Sequence, residues 1–255
     1  MKKYILMLIL VSLIFAIQAE PLNDEGALMA VLYHQVAAEY QALCYQAYNL
    51  ATDQIIRLAE QQHTKPLAVI LDVDETVLSN SKYNALEVIQ AREYPKEFYQ
   101  WIEEMNSEPI AGALQFTTLA DSMGIKIFYI TNRRDHKQAA TIGNLKKYGF
   151  PQANADQVLC KTGKSSKEGR RQQVMADYDV LLLIGDNLID FAEYFVGNTI
   201  EERAASVEKW QSLFGRRYIV LPNTMHGYWQ KLIKDFEYDL SPEQVREKRL
   251  KHLKY

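Results

Sequence analysis

Hydrophobic and polar positions along the chain follow two different rhythms. From about Asp24 to His63, apolar residues recur at steps of three and four, at Leu32, Val36, Tyr40, Leu43, Ala47 and Leu50. That is the spacing of one helical face. It predicts one long helix or two, ended by Lys65-Pro66, because proline lacks the amide hydrogen that a helix uses. Short continuous apolar runs then follow at 67–71, 125–130, 180–184 and 218–221, with a weaker one at 157–160. Such runs are the signature of strands buried on both faces. Helical stretches separate them, at 110–123 and 136–148, stopped by Gly124 and Gly149, and at 166–176 and 202–213. Strand and helix alternate, so the expected fold is α/β, a Rossmann-like parallel sheet flanked by helices.

Residues 80–106 interrupt the alternation and are rich in aromatics: Tyr83, Tyr94, Phe98, Tyr99 and Trp101. This insertion reads either as a small helical cap over a site or as a packed helical hairpin. At the other end, Ser241-Pro242-Glu243-Gln244 has capping-box spacing with proline in the first turn, and predicts a peripheral, charged helix.

A chain of 255 residues suits one large α/β domain with a small accessory part. Two lysines, an apolar run from Tyr4 to Ile17 and small residues around Ala19 form the layout of a secretory signal. The expectation is a leader at 1–19, cut after Ala19, and a domain at 20–255 whose first helical segment is 24–63. The alternative is an uncleaved anchor, although the run is short against the roughly 20 apolar residues a membrane span needs. The chain carries 32 acidic against 29 basic residues, a net charge of −3. It therefore lacks the basic footprint of a nucleic-acid binder. Cys44 and Cys160 could pair in an exported protein, but two free buried thiols are the favoured reading.

Ligands of an open parallel sheet bind beyond the carboxyl ends of its strands. After the first run stand Asp72 and Asp74, after the second Thr131-Asn132-Arg133, and after the third Gly185-Asp186-Asn187 with Asp190 further on. One such aspartate is ordinary turn chemistry; the combination is not. Like charges converging on one edge repel unless a cation offsets them, and oxygen donors without clustered His or Cys select a hard ion, with Mg²⁺ the default. A carboxylate beside Mg²⁺ can attack phosphorus, and a second can exchange protons with the leaving group and water. The run Lys161-Thr162-Gly163-Lys164-Ser165-Ser166-Lys167 opens a helix, a good place for a phosphate-holding lysine, though a solvated loop is the ordinary meaning of such a run.

The segments ILDVDETVLSN, YITNRR, KSSK and IGDNLIDF resemble the successive motifs of haloacid-dehalogenase phosphatases. The likeness is nearest to bacterial class C acid phosphatases, a group that includes outer-membrane lipoprotein 5′-nucleotidases. It runs from about residue 25 to 235 and includes PIAGALQF and the LPN–GYW segment. The resemblance implies Asp72 as nucleophile and Asp74 as acid/base, with its backbone carbonyl on the metal. It implies Asp186 as the remaining protein ligand, Asp190 behind a metal-bound water, and Thr131, Asn132 and Lys167 on phosphate, with Lys164 the runner-up. Two departures stand out. No lipid-attachment cysteine is present, which implies a periplasmic or secreted relative without a stable membrane anchor. His226 stands where the lipoprotein nucleotidases carry tyrosine, and Phe98 near where they carry tryptophan, so these two are the specificity candidates. Phe98 as a core residue and His226 as a helix cap at Gly227 are the plainer alternatives.

The expected activity is Mg²⁺-dependent hydrolysis of small phosphomonoesters, nucleoside monophosphates or aryl phosphates, through an aspartyl-phosphate. The competing readings are a phospho-accepting signalling module and a non-catalytic storage or adhesion relative.

Overall fold

The computed structural model describes residues 25–90 and 95–255. The expected leader at 1–19 and Tyr94 of the insertion lie outside the described residues. The chain opens with helices α1 (Glu25–Val36) and α2 (Ala38–Ala59), followed by strands β1 (Leu67–Leu71) and β2 (Leu78–Ser79). The insertion holds α3 (Ser81–Gln90) and α4 (Lys96–Glu104), closed by β3 (Glu108–Pro109). Then come α5 (Ala113–Ser122), β4 (Lys126–Arg134), α6 (Gln138–Lys147), β5 (Val158–Lys161), α7 (Glu168–Asp177) and β6 (Asp179–Gly185). The remainder is α8 (Ile200–Lys209), β7 (Tyr218–Val220), α9 (Tyr228–Ile233) and α10 (Pro242–Lys251). No helix among the described residues is long and apolar enough to cross a membrane.

The main sheet runs β5-β4-β1-β6-β7, all parallel. From β1 the chain builds outward on one side through β4 and β5, then crosses to the other side for β6 and β7. The reversal of winding places the ligand crevice at the carboxyl end of β1. Alternate residues of the central strands feed two cores. Val69, Leu71, Ile127, Tyr129, Leu182 and Ile184 face α2, α5 and α6, whereas Ala68, Ile70, Phe128, Ile130 and Leu183 face α7, α8 and the aromatic cluster of Phe191 and Phe195. Burial on both faces explains why these strands read as unbroken apolar runs.

The alternation of strand and helix holds throughout, including the weak run at β5. Gly124 and Gly149 stop their helices at φ +73° and +80°, and Ser241 and Gln244 exchange the expected reciprocal capping bonds. The N-terminal segment takes the two-helix alternative, broken at Ala37, which is extended. Three details differ from expectation. The buried face of α2 runs through Tyr40, Cys44, Ala47, Tyr48, Ala51 and Ile55, which leaves Leu43 and Leu50 on its flank and exposed, as is Val36 of α1. Thr131, Asn132 and Arg133 lie within the end of β4 rather than after it. The two-stranded ribbon β2–β3, too short to show periodicity, clamps the base of the insertion.

Gly112, at the N-terminus of α5, has φ +87°, and a Cβ there would meet Tyr48 Cβ at 2.8 Å. A left-handed conformation costs a residue other than glycine roughly 1–2 kcal/mol, and overpacking a core costs about 1–3 kcal/mol. Gly112→Ala is therefore expected to lower the urea midpoint clearly, whereas Gly149→Ala, with open space around it, pays the conformational term alone.

Candidate active site

The carboxyl end of β1 sets the centre of the site. The Asp72 amide donates to Ile184 O at 2.9 Å, continuing the β1–β6 ladder one residue beyond the strand. The chain then turns sharply: Val77 and Leu78 both donate to Val73 O, at 2.9 and 2.8 Å. Glu75 sits at φ +57°, an uncommon conformation for a side-chain-bearing residue. Its buried carboxylate is held there by the Asn80 amide at 2.6 Å, Asn80 Nδ2 at 3.2 Å and His226 Nε2 at 2.9 Å. Tyr48 of α2 supports the same turn by donating to Thr76 O at 2.6 Å.

Three of the four predicted carboxylates meet. Oxygens of Asp72, Asp186 and Asp190 lie within 4.8 Å of one another. Lys167, at the start of α7, is buried between two of them; it contacts Asp72 Oδ1 directly and lies 2.7 Å from Asp190 Oδ1. Lys164, the runner-up, is exposed. Asp186 accepts from Asn223 Nδ2 at 2.8 Å and from the Thr76 hydroxyl at 3.3 Å. Asp190 folds back to accept from the Asn187 amide at 3.0 Å. That fold needs Gly185, where a Cβ would meet Asp190 Oδ2 at 2.6 Å. A cluster of carboxylate oxygens without sulfur or imidazole donors fits a hard divalent cation.

Asp74 points elsewhere. Its Oδ1 accepts from Arg133 Nε at 2.9 Å and Asn80 Nδ2 at 2.8 Å and pairs with the charged Arg133 Nη2 at 2.8 Å, while Oδ2 accepts from the Thr131 hydroxyl at 3.2 Å. The Asn132 side chain is committed on both sides: its Oδ1 accepts from Arg170 at 2.7 Å and its Nδ2 donates to Ser165 O at 2.9 Å. The side-chain amide is thus a strut across the site.

Electrostatics follow from this placement. Burial pushes the Asp72 carboxyl well above the usual range, against Lys167, and the neighbouring aspartates add to the push. Burial and the charge of Asp190 raise Asp186 to about 7. Lys167 is drawn down by burial but raised further by Asp190 and Asp72. Burial also acts on Asp74, yet the Arg133 charge and the Arg133 and Asn80 hydrogen bonds outweigh it and hold the carboxyl below its ordinary value.

The two specificity candidates rest on different neighbours. Phe98 packs edge-on to Tyr83, ring centroids 5.1 Å apart. His226 is half-exposed on the buried Glu75; the helix that follows is capped by Gly227, with no side chain serving as cap. Four supporting residues carried no signal strong enough to single them out in the sequence. Arg133 was seen only as part of a strand-end triplet, Arg170 and Arg171 only as part of a helix, and Asn80 only as the edge of the insertion.

The family model for the haloacid-dehalogenase superfamily, subfamily IIIB (acid phosphatase), matches residues 14–229. The structure of the class C acid phosphatase from Bacillus anthracis is 36% identical with a TM-score of 0.85, covering 90% of this chain and 97% of that one. The same enzyme with tungstate bound gives 34% identity and a TM-score of 0.86, over 92% and 98%. Acid phosphatase 1 of Solanum lycopersicum is 33% identical over 86 residues, 32% of each chain. The stem 28 kDa glycoprotein of Glycine max is 26% identical over 169 residues, 61% of this chain and 62% of that one. The chain thus matches about a third of the first plant protein's length and less than two thirds of the second's.

The Glu75 pair makes a prediction about stability. Partial burial pulls the His226 imidazole down, but the Glu75 hydrogen bond and the charges of Glu75, Asp186 and Asp74 lift it from 6.5 to about 9. A raised basic pKa contributes stability that is complete below pH 6.5 and lost as pH rises through about 9. In chelator, the melting temperature of the wild type should fall across that interval more than that of His226→Gln; parallel curves would show that the pair contributes nothing.

Proposed function

The chain belongs to the haloacid-dehalogenase superfamily, subfamily IIIB, a family of acid phosphatases, and from that membership we propose Mg²⁺-dependent hydrolysis of phosphomonoesters through a phosphoryl-Asp72 intermediate. The observation that carries the reading is the meeting of Asp72, Asp186 and Asp190 oxygens within 4.8 Å, with Lys167 seated between two of them. Asp72 and Asp186, with the carbonyl of Asp74 and the supporting Asp190, would hold Mg²⁺. The bound ion would neutralise the cluster and polarise the phosphoryl group.

The protein's own groups then divide the work. An Asp72 carboxylate oxygen attacks phosphorus as the bond to the leaving oxygen breaks. Lys167, the Thr131 hydroxyl and the backbone amide at Asn132 bind the non-bridging oxygens. Asp74 gives a proton to the leaving oxygen, then takes one from the water that cleaves the acyl phosphate. The tungstate bound by the Bacillus anthracis enzyme is a tetrahedral oxyanion of phosphate's shape, which supports binding of a phosphoryl group by this chain. Phe98 and His226 are the candidates to flank a planar leaving group. On this reading aryl monophosphates are good substrates and nucleotides are only modestly preferred over sugar phosphates. The leader-like residues 1–19 support a periplasmic or secreted location.

Asp72→Asn keeps the size of the side chain and removes the attacking charge. Turnover of p-nitrophenyl phosphate should fall by at least ~10³-fold, the scale on which loss of an essential covalent group registers. Wild-type activity should vanish in EDTA and return with Mg²⁺. More than a tenth of wild-type turnover in the variant, or full activity in chelator, rules out the mechanism.

The pH dependence follows from Asp74. Arg133 and Asn80 prevail over burial and keep this carboxyl ionised to lower pH than usual, so the acid form needed by an alkyl leaving group becomes populated only as pH falls. Rates with alkyl monoesters should therefore be highest below neutrality; an optimum above pH 8 contradicts the assignment of Asp74.

A further inference from the structure

Asn80 lies between the insertion and Asp74, and its amide is held in one orientation. It is buried at the junction of β2 and α3. Its Oδ1 accepts from Trp101 Nε1 at 3.1 Å and from the Ser107 hydroxyl at 2.7 Å. Both donors are themselves buried, and Trp101 Nε1 also reaches Ser107 Oγ at 3.0 Å. An amide has one acceptor end and one donor end. With these two donors on Oδ1, and Arg133 Nη2 a third at 3.5 Å, the Nδ2 end must face the opposite way, and there it meets Asp74 Oδ1 at 2.8 Å and Glu75 Oε2 at 3.2 Å. Reversing the amide would set Nδ2 against these donors and leave two carboxylates facing an oxygen.

The consequence falls on Asp74. Two N–H groups, Asn80 Nδ2 and Arg133 Nε, donate to Oδ1, and the charged Arg133 Nη2 lies 2.8 Å from the same oxygen, whereas only the Thr131 hydroxyl reaches Oδ2. Negative charge is best stabilised on the oxygen that faces two donors and the guanidinium, so a proton resides on Oδ2. We propose that Asn80 is a positioning residue for this reaction: oriented by Trp101 of the insertion, it pins Asp74 Oδ1 and directs Oδ2 to the leaving oxygen. As the Asp72–phosphorus bond forms and the phosphorus–oxygen ester bond breaks, the Oδ2 proton passes to the departing alkoxide and Asp74 is left as the carboxylate. The insertion thereby acts on the chemical step. This rests on the reading of Asp74 as proton donor.

Leaving groups separate positioning from mere structure. An alkoxide needs the proton, whereas p-nitrophenolate departs as a stable anion, and kcat/KM reports the steps up to phosphoryl transfer to Asp72. Asn80→Ala should lower kcat/KM for glycerol 2-phosphate by about 10–100-fold and for p-nitrophenyl phosphate by less than about threefold, part of the ~10²–10⁴-fold that general acid catalysis supplies. Trp101→Phe keeps the packing and removes one donor from Oδ1, so it should show the same selectivity at smaller amplitude; it decides the matter if Asn80→Ala does not fold. Equal losses on the two substrates, in the folded variant, overturn the proposal. Asp74→Asn distinguishes the two levels of failure. If it too lowers both substrates equally, Asp74 is not the donor. If it is selective and the Asn80 and Trp101 variants are not, only the positioning role is lost.

Discussion

Mutual repulsion among carboxylates is the constraint around which this molecule is arranged. Asp72, Glu75 and Asp190 are buried, and Asp74 and Asp186 stand beside them at the same sheet edge. A buried charge without a partner costs several kcal/mol, so each must be answered. Lys167 answers Asp72 and Asp190, Arg133 answers Asp74, and His226 answers Glu75. The three cations arrive from the start of α7, the end of β4 and the loop after β7. The site therefore exists only when elements separated by most of the chain have docked around β1.

Two carboxylates two positions apart acquire opposite environments because the chain leaves the strand between them. In a continued strand Asp72 and Asp74 would point to the same face. Here the ladder ends at Asp72 and the chain turns at Val73, and Asp74 is held on β4 by Arg133 and Thr131. Burial, and after it the neighbouring acids, penalises the charge of Asp72, while Asp74 sits under a guanidinium and an amide that outweigh its burial and favour its charge. Divergent environments of paired carboxyls are how one loop supports two roles.

The parts legible in the sequence were those governed by period and position. Apolar runs reported strands buried twice over, and the residues following each run reported what would gather at the sheet edge, so the meeting of Asp72, Asp186 and Asp190 followed from topology, whereas Lys167 was singled out within its basic run only by the family resemblance. The buried face of the first helical segment was not legible in full, because Leu43 and Leu50 keep three- and four-residue steps with Tyr40 and Ala47 yet lie on the flank of the face that α2 buries. The orientation of Asp74 was not legible either. It depends on Arg133 reaching back from within a strand and on an amide whose direction is set by Trp101 and Ser107, 21 and 27 residues away. Three-dimensional hydrogen-bond satisfaction leaves no periodic trace. The same holds for Asn132, whose side chain is used up by Arg170 and Ser165.

The remaining arginines brace the end of β4 and the Asp190 turn. The β4–β5 ladder is irregular between Ile130 and Arg134, the stretch that carries Thr131 and Asn132. Backbone groups there lack regular strand partners, and a residue placed on such a gap would be poorly fixed. Arg170 spans it: one guanidinium donates to Thr131 O on β4, to Leu159 O on β5, to Asn132 Oδ1 and to Ser166 O. Arg171, its neighbour, does the same for the Asp190 turn by donating to Ile189 O at 2.9 Å and Asp190 O at 3.0 Å. A lysine could satisfy no such spread of acceptors, because its donors radiate from one point, whereas the planar fork reaches several at fixed angles. The irregularity leaves the Thr131 hydroxyl to donate to Asp74, and α7 supplies both the cation that pairs with Asp72 and Asp190, Lys167, and the two arginines that restore order behind it.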